Sequence, residues 1–131
     1  MKTSYNKPPH WFIMKAIFKC DWERTAFAFV DTIYSSSELP EHLIVHESVH
    51  LDQQGYSVIG AWIWLLRYLL SKKFRYRMEL EAYRKQWKFF ARQHRPSINE
   101  DFMRKIAGDL SGKLYGNIVT YQEAVRAIRS S

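Results

Sequence analysis

Two short runs, Trp11 to Lys19 and Thr25 to Tyr34, are rich in Phe, Ile, Val and Trp and partly alternate apolar with polar positions. Successive side chains on a strand point to opposite faces, so both runs predict strands, paired antiparallel across the segment Cys20-Asp21-Trp22-Glu23-Arg24. The pattern changes after Ser35-Ser36-Ser37. Glu38, Pro40 and Glu41 put proline and acidic groups where a first helical turn favours them, and Gly55 supplies a stop, so a helix is predicted between them. Ser57 to Ser71 and Lys72 to His94 predict two more helices, the latter ended by Arg95-Pro96, because the residue before proline is pushed out of helical geometry. Ser97 with Glu100, and Thr120 with Glu123, match the capping-box spacing and start two further short helices, with Gly108 to Gly116 as the loop between them. The expected fold is mostly helical α+β, a small antiparallel sheet near the N-terminus packed on the first long helix.

The stretch Val58 to Leu70 is apolar apart from Arg67 and is about thirteen residues long, whereas a spanning helix needs roughly twenty. It therefore predicts a core helix, with Trp62, Trp64 and the Leu65-Leu66 pair inside. Contact of Trp62, Trp64 and Tyr68 with a membrane surface or a partner is the lesser reading.

Composition narrows the class. With 131 residues, 47% hydrophobic and 25% charged, the chain predicts one folded domain over residues 1–131, and its 16% aromatic content favours bulky packing or an apolar cleft. The single cysteine, Cys20, fits a reducing compartment, and Met1 to Pro9 lacks the apolar core of a secretory signal, so a cytoplasmic protein is expected. The net charge of +7 is concentrated between Arg67 and Arg104. A solvated helix face accounts for it most simply, and docking on nucleic acid ranks behind that. Oligomeric state is not legible.

Inside the predicted helix that follows Pro40 lies His46-Glu47-Ser48-Val49-His50. Residues four apart stand one above the other on a helix, so both imidazoles can address one ion, while Glu47 sits on the flank, placed to take a proton from a metal-activated water. A catalytic zinc site takes three protein ligands and leaves a fourth position open, so a third ligand must come from elsewhere. Glu79 and Glu81 are the candidates. At 100° per residue, Glu79 falls on the edge of an apolar stripe formed by Tyr76, Leu80, Tyr83, Trp87, Phe90 and Ala91, and Glu81 falls among Arg77, Arg84, Lys85, Lys88 and Arg92. A carboxylate among cations on a solvated face is explained; one bordering a core needs a partner. His42 reads as a packing or surface histidine, and His10 and His94 have weaker claims still.

HESVH with the downstream Glu79-Leu80-Glu81-Ala82 resembles the gluzincins, zinc metallopeptidases whose third ligand is a glutamate on a later helix. In the HtpX-like and ImmA/IrrE-like branches that motif has the form E-x-x-A with the first glutamate as ligand, which corresponds to Glu79 here. The run His46 to Gln54 is also similar to the HExxHxxQ form of small phage-encoded metallopeptidases. The resemblance covers about half of the chain. It implies a minimal zincin-like domain binding one Zn²⁺ through His46, His50 and Glu79, with Glu47 as general base. Tyr83 stands where the HtpX-like pattern has an aspartate that orients a ligand histidine, which leaves Gln53 or Tyr83 to take that part.

The expected function is peptide-bond hydrolysis, with a peptide or protein as substrate and the strand Thr25 to Tyr34 as an edge that can hold it. Tyr83, Tyr115 and Tyr34 are equal candidates for the group that stabilises the developing oxyanion. The alternative is a non-catalytic, zinc-stabilised binding or assembly module whose basic helix contacts nucleic acid or an acidic partner.

Overall fold

The computed structural model describes residues 1–130. Three strands and six α-helices follow one another as β1 (Lys2–Ser4), α1 (Trp11–Phe18), β2 (Phe27–Phe29), β3 (Thr32–Tyr34), α2 (Glu41–Gln54), α3 (Val58–Leu70), α4 (Lys72–Ala91), α5 (Pro96–Leu110) and α6 (Tyr121–Arg129). The mostly helical α+β class expected from the sequence is the one observed. Contacts divide the chain into two compact units, residues 1–64 and the residues from Leu65 on, and the division falls inside α3.

In the first unit β3 is the central strand, antiparallel to β2 and parallel to β1, so the sheet is mixed rather than purely antiparallel. Strand β1 is polar, Lys2-Thr3-Ser4, and pairs with β3 through backbone groups, which no side-chain pattern announces. Ile33, Ala28 and Leu51 form a small core between the sheet and α2, with Leu39 and Ile44 packed on it.

The run Trp11 to Lys19 is not a strand. It forms α1, which starts with the Trp11 N–H donating to the Pro8 carbonyl and ends at Lys19, whose backbone is left-handed (φ 51°) and whose N–H returns to the Lys15 carbonyl. Trp11 and Met14, three apart, are buried on one side of this helix, while Phe12, Ile13 and Ile17 are exposed on the rest. Apolar residues on both sides of a short helix imitate the alternation of a strand.

The hairpin β2–β3 is closed by Val30 in left-handed geometry (φ 62°), an unfavourable state for a β-branched residue. A side chain from α2 holds it there. Gln54, 2% exposed, accepts the Val30 N–H at 2.8 Å and donates to the Ala28 carbonyl at 2.9 Å. The last turn of α2 is thereby fastened to the hairpin, and Gly55 follows in the left-handed conformation (φ 70°) that closes the helix.

The second unit is built on α4, α5 and α6, whose shared core contains Tyr83, Phe102, Met103, Ile106, Leu110, Tyr115, Ala124 and Ile128. The apolar stripe read from the sequence, including Tyr76, Leu80, Trp87 and Phe90, packs against it. Two arginines of the basic run are structural rather than solvated. Arg75 donates to the carbonyls of Tyr68 and Leu69, satisfying the end of α3, and to that of Leu114; Arg84 donates to the Ala127 carbonyl near the end of α6. The capping box at Thr120 and Glu123 forms as expected, whereas the one at Ser97 and Glu100 does not: the cap position is Arg95, and Pro96 takes the first turn. Helix α4 stops at Ala91, and the Asn99 amide donates to the carbonyls of Ala91 and His94 across the bend into α5. Because α5 continues to Leu110, Gly108 lies within a helix, and the expected loop shrinks to a segment containing a 3₁₀ turn over Lys113–Tyr115.

Candidate metal centre

Helix α2 forms because no glycine or proline interrupts Glu41–Gln54 and its buried positions, His46, Glu47, Val49, His50, Leu51 and Gln54, recur at helical spacing. His46 and His50 share one side of it, with ring centroids 5.1 Å apart. Each is less than 10% exposed, as is Glu47.

Gln53 determines which nitrogen of His50 is available. Its Oε1 lies 3.2 Å from the Trp64 Nε1 and 2.9 Å from the His50 Nδ1. An indole N–H can only donate, so the shared atom is an amide oxygen, and an amide oxygen can only accept. The proton on His50 therefore sits on Nδ1 and the lone pair on Nε2, the state in which an imidazole binds a metal. The Trp64 ring also packs on the His50 ring, with centroids 5.3 Å apart.

On α4, Glu79 is buried and Glu81 is exposed, as the helical layout anticipated. The Tyr68 hydroxyl, itself buried, donates to Glu79 Oε2 at 3.1 Å. Burial first, and then the Glu79 charge, push the Tyr68 phenol well above its ordinary pKa, so at neutral pH it remains a donor. Tyr115 is raised in the same way, by burial, by Glu79 and by its neighbours Tyr83 and Tyr68. Tyr83 stands edge-on to Tyr115 with centroids 6.4 Å apart.

His46, His50 and Glu79 form a buried group that can hold a metal ion: one ligand atom from each lies within 4.8 Å of the others. Two imidazole nitrogens and a carboxylate oxygen are a donor set for a divalent transition metal. On one tetrahedral zinc ion such atoms stand about 3.4 Å apart, inside the 4.8 Å that bounds this group. A carboxylate buried this deeply is also costly without partners of opposite charge or donor character, which an ion would supply.

His42 is half-buried, His94 stacks on Phe90 with centroids 3.9 Å apart, and His10 is buried against Phe27 and Phe29. Of the residues proposed to orient a ligand, Gln53 touches His50 directly. Tyr34 belongs to β3, and Tyr83 and Tyr115 to the core around α4. Sequence reasoning missed Tyr68. The available signal was that at 100° per residue it falls beside Ala61 and Leu65, and a phenol on a buried face requires a hydrogen-bond partner. Comparison of the chain with protein-family models, curated proteins and solved structures gives no match.

Proposed function

We propose that the protein is a zinc-dependent peptidase in which His46, His50 and Glu79 hold one Zn²⁺ and Glu47 is the general base. The observation that carries this reading is the selection of glutamates: the buried Glu79 joins the two histidines of HESVH, and Glu81, two residues on, stays on the exposed face. Zinc held there would supply a Lewis acid for the scissile carbonyl and would lower the pKa of a water in the open position.

The chain's own residues do the rest. Glu47, on the flank of the histidine pair, takes a proton from the attacking water and returns it to the leaving amine. Gln53 keeps the His50 Nε2 lone pair available, and Tyr68 holds one oxygen of Glu79. The segment Thr25 to Tyr34, expected as one strand that could hold substrate, is folded back on itself as β2 and β3, and its edge is covered: the residues of β2 are buried and the Ala28 carbonyl is taken by the Gln54 amide.

A second reading is favoured by the exposure of Arg77, Lys85 and Lys88 on α4 and of Arg92 just past its end: a zinc-stabilised module that docks on nucleic acid or an acidic partner without cleaving anything. One set of measurements separates the two. Purified wild type and Glu81→Ala should carry zinc, and Glu79→Ala should not. Glu47→Gln should keep its zinc and lose about 10²-fold or more of the cleavage of a mixed peptide substrate. Equal zinc loss from Glu79→Ala and Glu81→Ala, or unchanged turnover in Glu47→Gln, would overturn the peptidase reading.

A further inference from the structure

Helix α3 is apolar nearly all round, yet only one side of it is covered. Ala61, Leu65 and Tyr68 are buried, whereas Val58, Ile59, Trp62, Ile63, Leu66 and Leu70 are exposed, Ile59 at 74% and Leu70 at 78%. At 100° per residue these six occupy one continuous band over roughly 140° of the helix circumference. The expectation that Trp62, Trp64 and Leu65-Leu66 all lie in the core therefore holds fully for Leu65 alone; Trp64 is half-buried, and Trp62 and Leu66 are exposed. A contiguous apolar band of this extent marks a surface that something covers.

The charge around the band indicates what. From Gln53 to Met78 the chain has no acidic residue and five basic ones, Arg67, Lys72, Lys73, Arg75 and Arg77. Arg75 is buried in its contacts with backbone carbonyls. Arg67, on the flank of the band, and Lys72 and Lys73, directly beyond its end, are exposed. A second copy of the chain would bring these like charges together, and the exposed carboxylate beside the band, Asp52, sits with Tyr56 at the opposite end from Lys72 and Lys73. A 13-residue helix is too short to cross a bilayer, and no helix among the described residues is long and apolar enough to do so.

We propose that α3 lies in the interface of an anionic lipid membrane, its band sunk among the acyl chains and Arg67, Lys72 and Lys73 set against lipid phosphates. Trp62, an amphipathic ring within the band, and Tyr56, exposed just before it, belong at headgroup depth. This surface is distinct from the buried metal group, and membrane binding does not require that the protein cleave anything.

The test is co-sedimentation with vesicles of phosphatidylcholine alone and of equimolar phosphatidylcholine and phosphatidylglycerol, alongside sedimentation velocity without lipid. The wild type should bind the anionic vesicles about tenfold or more tightly than the neutral ones, and binding should weaken as salt is raised. Ile63→Glu/Leu66→Glu, which alters exposed positions and should keep the wild-type circular dichroism spectrum, should lose binding; Lys72→Gln/Lys73→Gln should weaken it and flatten its salt dependence. Three results would overturn the proposal: no binding of the wild type to anionic vesicles, full binding by Ile63→Glu/Leu66→Glu, or a wild-type dimer that this variant dissociates.

Discussion

His50 Nδ1 stands 2.9 Å from Gln53 Oε1, and that one contact decides which nitrogen of His50 can bind a metal. Residues three apart on a helix face one another, so the amide needs no help from the fold to reach the ring; Trp64 then fixes which way the amide points. Gln53→Leu leaves the Nδ1 proton and the Trp64 indole without their acceptor and frees the imidazole to change tautomer. Zinc affinity, measured by competition with a chromogenic chelator, should fall about 10- to 100-fold. Gln53→Glu, which keeps an acceptor at the same reach, should restore most of it.

Tyr68 does for Glu79 what Gln53 does for His50. Tyr68→Phe keeps the ring in the core and removes only the hydroxyl that donates to Glu79 Oε2. A hydrogen bond to a buried charged group contributes about 1.5–3 kcal/mol, and urea denaturation of the metal-free variant should show a loss of that size. Adding zinc should narrow the gap between variant and wild type, because the metal takes over part of the carboxylate's stabilisation.

Gln54 belongs to the scaffold. Gln54→Leu keeps a side chain of similar volume but leaves the Val30 N–H and the Ala28 carbonyl without the partners they have now. Unsatisfied buried groups cost about 1–3 kcal/mol each. A loss of about 3 kcal/mol in denaturant melts is expected, with faster hydrogen exchange at Val30 before anywhere in α4 to α6.

His10 makes stability depend on pH. Its burial lowers its pKa from 6.5 to about 4, and its Nδ1 has no hydrogen-bond partner among the described residues. The unfolded chain therefore binds a proton more readily than the folded one between those values, so this histidine's contribution is intact above pH 6.5 and is lost as pH falls towards 4. Over that interval the wild type should lose about 3 kcal/mol more than His10→Leu, which has no imidazole to charge. Superimposable stability profiles for the two proteins would show that His10 is protonated without penalty.

Much of the site was legible because it depends on helical spacing. His46 and His50 are four apart, Gln53 is three beyond His50, and Glu79 borders the apolar stripe of its helix while Glu81 faces the cations; each statement concerns one element and follows from 3.6 residues per turn. The capping box at Thr120 and Glu123 was equally local. The strand expected at Trp11 to Lys19 failed because apolar residues on both sides of a short helix leave no clear period, and β1 escaped notice because its pairing uses backbone groups that every residue carries.

What the sequence determined by itself is which side chains share a face: the histidine pair, the glutamate at the edge of a core, and the apolar circumference of α3, broken only at Arg67. Tertiary structure decided which faces are covered, and with which partners. It buried Tyr68 against Glu79, fastened Gln54 to a strained hairpin, turned Arg75 and Arg84 inward onto carbonyls, and left Ile59 to Leu70 bare along one side of α3. The reason is physical. Periodicity follows from the geometry of one backbone, whereas burial is a relation between segments far apart in the chain, and a single element's pattern does not encode it.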